Sequence, residues 1–329
     1  MQRSRRDFVK VLLGASAAAM LPARMARAAA REGLVPVRHS TFVMGQMATI
    51  TAYGAPAQEL REAITAAFDA LRRVDVLMSV FSQSSDVGRI NLAAGRDEVG
   101  VDPWTGDLLR SSIAFSQRTG GAFDPTVEPL MRAWGFRDSR ATMPTERELE
   151  GARDALGVGH LHVSTVQQTC PVALDRESSK IDLGGIAVGF AIDRAVAVMR
   201  ARGVQCALID VSGDLYAIGA PPDATGWKVG IVDPRNPERI ITECTIRDQA
   251  LSTSGNYATV VMYNAIKYGH IMNPRDGYPA HEIASATVIA PTALAADALS
   301  TGVFVNPAIS VPEGSIVLVK NSGDVVRVG

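Results

Sequence analysis

Ile181-Asp182-Leu183-Gly184-Gly185-Ile186-Ala187-Val188-Gly189-Phe190 is the stretch on which the fold turns, an apolar strand end entering a helix through a run of small residues. Strand, glycine turn and helix in that order invite a dinucleotide-binding reading, but the G-x-G-x-x-G spacing is absent and a Rossmann unit is rejected. The helix is predicted over 188–202, ended by Gly203, and the next strand over 205–211. Further strands are predicted over 160–165, 172–175, 227–232, 240–246, 258–263 and 283–289, with 315–320 paired to 324–328. A helix fits 293–302. Upstream, 41–52 reads as one strand closed by Gly54-Ala55-Pro56, and Leu60, Ile64, Phe68, Leu71, Val74 and Leu77 recur at the spacing of a long amphipathic helix. A second helix is expected over 106–118. A third is announced by the capping box of Thr145 and Glu148 after Pro144 and stops near Gly157. Strands and helices do not alternate strictly, so the expectation is α+β rather than a doubly wound parallel sheet, in a single compact unit.

The 329 residues are 47% apolar and 20% charged, enough for a sizeable core, and the formal charge of -1 argues against a basic nucleic-acid surface. That balance hides an asymmetry. Residues 1–28 hold Arg3, Arg5, Arg6, Lys10, Arg24 and Arg27 against Asp7 alone; without them 27 basic and 33 acidic residues remain, a charge of -6. The order Ser4-Arg5-Arg6-Asp7-Phe8-Val9-Lys10, an apolar run to Leu21, then Ala26-Arg27-Ala28, resembles a cleavable twin-arginine export signal. The run is too short to span a bilayer. A mature chain over 29–329 working in the periplasm is therefore expected. Cys170, Cys206 and Cys244 have no C-x-x-C spacing, and Cys206 lies in an apolar run that reads as a buried free thiol.

Five segments carry polar chemistry. Gly120-Gly121-Ala122-Phe123-Asp124-Pro125-Thr126 reads either as a turn that lets a ligand approach the backbone and then starts a helix with anion-binding N–H groups, or as an ordinary turn. The stretch 181–190 is the second. Leu251-Ser252-Thr253-Ser254-Gly255-Asn256-Tyr257 either offers hydroxyls to phosphate or simply turns the chain. His270, in His270-Ile271-Met272-Asn273-Pro274-Arg275-Asp276-Gly277, follows a strand and precedes a turn, from which a side chain can face a cleft; a lone histidine is equally a structural residue. Asp297 and Thr301, four residues apart on a predicted helix, present a carboxylate and a hydroxyl on one face, either as hard oxygen ligands for magnesium or as an internal hydrogen bond.

In their order and spacing these segments, with Met44-Gly45 ahead of them, resemble the ApbE family of FAD:protein FMN transferases, and twin-arginine export makes the chain similar to the accessory flavin transferases of nitrous-oxide respiration. The resemblance implies a T-fold-related α+β catalytic domain after the signal. It implies FAD as substrate, magnesium-assisted cleavage of its pyrophosphate, and attachment of FMN through a phosphodiester to a Thr or Ser hydroxyl, with release of AMP. It implies Asp297, Thr301 and the carbonyl of Ala187 as magnesium ligands, and His270 as the base for the acceptor hydroxyl. Met44, Phe81, Gly121, Ala122, Phe123, Asp124, Gly184, Val188 and Ile271 match positions that hold FAD. The implied acceptor is a membrane-associated electron-transfer or respiratory protein. Val188 stands where the family usually has lysine, Ser212-Gly213-Asp214 where it has GGD, and Asp86 where an acidic Glu is common. Two alternatives stand beside transfer: an FAD pyrophosphatase releasing FMN and AMP, and an FAD-binding or flavin-delivery protein without turnover.

Overall fold

The structure is a computed structural model that describes residues 35–164, 170–256 and 259–328. The signal expected over 1–28 lies outside the described residues, as do 29–34 at the start of the expected mature chain and Thr165, Tyr257 and Ala258 of the expected segments.

Eight strands form one sheet whose spatial order is chain order. They are β1 (Val37–Val43), β2 (Gln46–Tyr53), β3 (Cys206–Val211), β4 (Asp214–Ile218), β5 (Gln249–Gly255), β6 (Ile283–Ala290), β7 (Ser315–Lys320) and β8 (Val325–Val328). Every neighbouring pair is antiparallel, as an α+β fold requires. The strand expected over 41–52 is corrected to two, because Met44 and Gly45 take φ of 53° and 72° and make the tight turn that joins β1 to β2. The hydroxyl-rich 251–257 stretch is corrected from turn to strand: its first five residues belong to β5, in the middle of the sheet.

Side-chain alternation gives the sheet two different faces. Ala207, Ile209, Val211, Tyr216, Ile218 and Ala250 point one way into the main core, and Leu208, Leu215, Ala217 and Leu251 point the other. Three helices cover the main core: α1 (Ala57–Met78), α2 (Ala187–Ala201) and α3 (Ala293–Val305). The predicted period holds in α1, which buries Leu60, Ile64, Phe68, Leu71 and Val74. The opposite face is covered by the hairpin Trp227–Asp233 with Asn236–Ile246, which lays Trp227, Val229 and Ile246 on Leu208, Leu215, Leu251 and Ile289. A third cluster joins Leu130, Trp134, Phe136 and Leu149 to Tyr263 and Met272 of the segment that carries His270.

Helices α2 and α3 meet closely because Gly189 has no side chain. A Cβ there would stand 2.2 Å from the Ala293 carbonyl oxygen. Asp193 of α2 then accepts from the N–H groups of Ala293 and Leu294 at 2.8 and 2.9 Å, satisfying two donors of the first turn of α3, and Thr292 accepts from Ala295. The helix expected over 106–118 begins earlier, at Pro103–Arg118, since Asp102 caps Trp104 and Pro103 suits the first turn. The capping box at Thr145 is present and opens Glu146–Asp154. No helix among the described residues is long and apolar enough to cross a membrane.

Candidate active site

Strand parity decides which polar groups meet. In β4, Asp214 shares its face with Tyr216, and in β5, Ser252 and Ser254 share theirs with Ala250, so all three point toward the helices rather than the hairpin. Opposite them α3 presents Asp297, Ser300 and Thr301. Ser300 Oγ lies 3.2 Å from Ser252 Oγ and 2.9 Å from Ser254 Oγ, and Ser254 Oγ lies 3.3 Å from Thr301 Oγ1. Asp297, 5% exposed, accepts at Oδ2 from the Gly189 N–H at 2.9 Å. Two residues before Gly189, Ala187 opens α2.

The carboxylates are electrostatically unsettled. Burial pushes Asp214 up to about 7, with the charge of Asp210 adding to it and a hydrogen bond from Ser252 opposing. Burial also pushes Asp297 well above the ordinary carboxylate range, and the charge of Asp214 contributes next. Asp210, on the same end of the sheet, is pushed up to about 6 by burial. A cation among these groups would relieve that repulsion. The donors are hard oxygens of carboxylate and hydroxyl type; among the described residues no group of three or more His, Cys, Asp or Glu comes together, so any metal here would rest on one or two carboxylates with hydroxyl and carbonyl oxygens. At Gly185 a Cβ would stand 3.0 Å from Thr301 Oγ1, so the glycine leaves a cradle beside that hydroxyl. These features fit magnesium, which takes one or two carboxylates and completes its shell with other oxygens.

The loop before α2 joins this group to the glycine turn. The Asp182 N–H donates to the Pro125 carbonyl at 2.8 Å, and Phe123 stands 3.5 Å from the place a Cβ of Gly185 would occupy. Gly120 and Gly121 have φ of 61° and 81°, a backbone that side chains disfavour. Ala122 and Phe123 are buried, and Phe123 donates its N–H to Thr119. Asp124 is committed locally, accepting from both the N–H and the hydroxyl of Thr126, and burial raises its pKa. The anion-binding helix start expected after this turn is corrected: the helix Glu128–Ala133 begins later and is short, and Asp124 itself takes the Thr126 N–H.

His270 lies just beyond the hairpin Val260–Tyr263 with Ile266–Gly269. Its Nδ1 is buried without a hydrogen-bond partner, while the ring bonds the backbone of Thr259. Burial, chiefly, holds it down at about 4, so the imidazole is neutral at pH 7 with a free lone pair. Asn256 orders the neighbouring backbone by accepting from the Ile271 N–H at 3.1 Å and donating to the Ala280 carbonyl.

The remaining expected positions are placed as follows by the structure. Met44, whose N–H donates to Asp75, and Phe81 stand by the C-terminal end of α1. Phe81 is 61% exposed, a large ring offered to solvent. Gly184 donates its N–H to Asp182. Val188 is 7% exposed and packs in the main core. Cys206, expected buried, is half-buried and free. Asp182, Asp214, Ser252, Ser254 and Ser300, read from the sequence only as members of their segments, also belong here, and so does Arg137, which no segment of the sequence singles out. The alternation of Ser252 and Ser254, read at period two, was the available signal for the hydroxyl row.

The fold and site define a class: an α+β protein with a buried oxygen-rich cluster at one sheet end, glycine-formed turns against it and a neutral histidine nearby. Residues 44–314 match the ApbE family, and the chain belongs to that family of flavin transferases. It is 30% identical over 278 residues to the FAD:protein FMN transferase of Treponema pallidum, covering 80% of this chain and 77% of that one. It is likewise 30% identical over 256 residues to the enzyme of that name from Escherichia coli K12, covering 75% and 71%. Among solved structures it resembles the ApbE protein of Thermotoga maritima, with a TM-score of 0.81, 29% identity and coverage of 89% and 97%. The flavinyl transferase ApbE of Pseudomonas stutzeri in its apo form follows with 0.77, 26%, 90% and 94%.

Proposed function

We propose that this chain transfers FMN from FAD to a Thr or Ser hydroxyl of a partner protein, releasing AMP, and that it does so with magnesium in the periplasm after twin-arginine export and removal of 1–28, as a catalytic domain over 29–329. The observation that carries the reading is the meeting of Thr301 with the glycine loop before α2 and of Asp297 with the first turn of α2, beside a second raised carboxylate whose repulsion a cation would relieve. The Asp297 carboxylate, the Thr301 hydroxyl and the Ala187 carbonyl would hold magnesium, which supplies positive charge to the pyrophosphate oxygens when bound.

The chain's own residues do the rest. Nδ1 of His270 accepts the proton of the acceptor hydroxyl, whose oxygen then bonds the FMN phosphorus as the bond from that phosphorus to the AMP oxygen breaks. AMP leaves with the electron pair of that bond. Bound pyrophosphate brings negative charge toward the imidazole and raises its basicity from the low value of the free protein. The glycine turn at 120–121 and the loop at 184–185 admit the dinucleotide close to backbone, and Phe81 offers an exposed aromatic ring to a flat heterocycle.

The acceptor is proposed to be a membrane-associated electron-transfer protein, reached on the same side of the membrane. Incubating the mature protein with FAD, magnesium and such an acceptor should give in-gel flavin fluorescence and one AMP per label, both lost in Asp297→Ala. AMP formed without a labelled acceptor would sink transfer in favour of hydrolysis, and stoichiometric FAD with no AMP would indicate a binding protein.

A further inference from the structure

Arg137 follows the short helix Glu128–Ala133, and its side chain is 11% exposed. One Nη pairs with Asp182, and its Cζ lies 5.1 Å from the centroid of the Phe81 ring. Its Nε is buried with no hydrogen-bond partner. The nearby Glu128 directs one oxygen to Arg132 at 2.9 Å. A buried guanidinium with an unbonded donor costs stability, so a packing role alone is a poor account of this residue.

Its contacts point to the site. The other Asp182 oxygen accepts from the Gly184 N–H at 2.8 Å, and the Asp182 N–H is bound to Pro125, so the cation is tied to the loop that runs from the glycine turn into α2. The Phe81 ring lies against the guanidinium and is itself largely exposed. Beside the dominant effect of burial, the backbone of Thr259 bonds the His270 ring and the charge of Arg137 opposes its protonation.

We propose that Arg137 is a positioning residue of the flavin-transfer site, fixing Phe81 and the 181–187 loop against each other and setting the electrostatic surroundings of His270. The roles given to Phe81 and His270 rest on the reading above; the placement of Arg137 does not. The stack and the fork need guanidinium geometry, whereas the effect on His270 needs only charge, so the two parts separate by substitution.

The test compares Arg137→Met and Arg137→Lys in the mature protein. The His270 ring is followed by NMR titration without substrate, and FAD is followed by KM against kcat. In Arg137→Met the His270 midpoint should rise and KM for FAD should rise by roughly tenfold, with kcat at pH 8 changed less than about threefold. Arg137→Lys should restore the midpoint and leave KM raised. An unmoved midpoint with unmoved KM in a folded Arg137→Met protein overturns the proposal. If that variant fails to fold, wild-type KM in Arg137→Lys overturns it instead. Loss of thermal stability alone, with the midpoint in place, is the signature of a merely structural residue and also overturns it. Should the wild-type protein release no AMP, FAD affinity by calorimetry replaces KM, and the transfer reading fails separately from this one.

Discussion

The two faces of β5 enclose opposite kinds of interior. Leu251 points into an apolar layer closed by Trp227, Val229 and Ile246. Its neighbours Ser252 and Ser254 point toward α3, where two raised carboxylates and a row of hydroxyls are buried at a similar depth. One strand thus serves a layer that holds the fold together and a layer that strains it. Buried unpaired charge lowers stability and is retained where chemistry needs it.

The sharpest way to break this contrast is to neutralise the charged side. Asp297→Asn should reduce flavin transfer by about 100-fold or more, while the thermal midpoint stays level or rises, because a buried repulsion is removed. A fall in midpoint of several degrees would make Asp297 a structural residue like Leu251. On the apolar face the pattern should invert: Leu251→Ala should cost about 2–5 kcal/mol in denaturant unfolding and leave transfer per folded molecule within about twofold. Gly189→Ala tests the seam between α2 and α3. Its Cβ would meet the Ala293 carbonyl, so about 1–3 kcal/mol of stability and most activity should go together, read by calorimetry and AMP release on the same sample.

Acidity offers a subtler probe. Asp214 sits at about 7 in the folded chain against 3.8 as its ordinary value, so the folded state holds its proton more tightly. Metal-free protein should therefore lose stability as pH rises from about 4 to about 7, by a few kcal/mol at most. His270, held at about 4 against 6.5, works in the opposite sense: the unfolded chain takes up its proton first, so this contribution to stability grows as pH rises through that window. Asp214→Asn removes one part of this fall, so stability across pH 5, 6 and 7 should decline less steeply than in the wild type, Asp210 and Asp297 keeping the same sign; a slope equal to wild type would refute the strain on Asp214. The smallest effect belongs to the apolar side. Cys244, whose thiol burial pushes up to about 11, should resist alkylation at neutral pH, and Cys244→Ser should change stability by about 1 kcal/mol or less.

Local chemistry was readable before the structure. The capping box of Thr145 and Glu148, the period of α1 and the α+β class all follow from interactions a few residues apart. The short strand β4 and the strand character of 249–255 did not, because hydroxyl-rich stretches mimic turns and their register is set by distant partners such as Thr287, whose hydroxyl lies 2.8 Å from that of Thr253. The site residues singled out were those embedded in motif-like runs. Arg137 escaped because its partner, Asp182, is 45 residues away and nothing near either one announces the pair.

Chain order and spatial order coincide in the sheet, yet Ile50 of β2 pairs with Ile209 of β3 only after some 160 residues have intervened. Closing a loop of that length costs roughly 4–5 kcal/mol of chain entropy before the ladder returns anything, which makes assembly slow. Until β3 arrives, β2 is an open edge and the turn bearing Asp214 has nothing to stand on. Catalytic competence is therefore a late event in the life of each molecule, gained with the closure of that ladder rather than with the folding of any single helix.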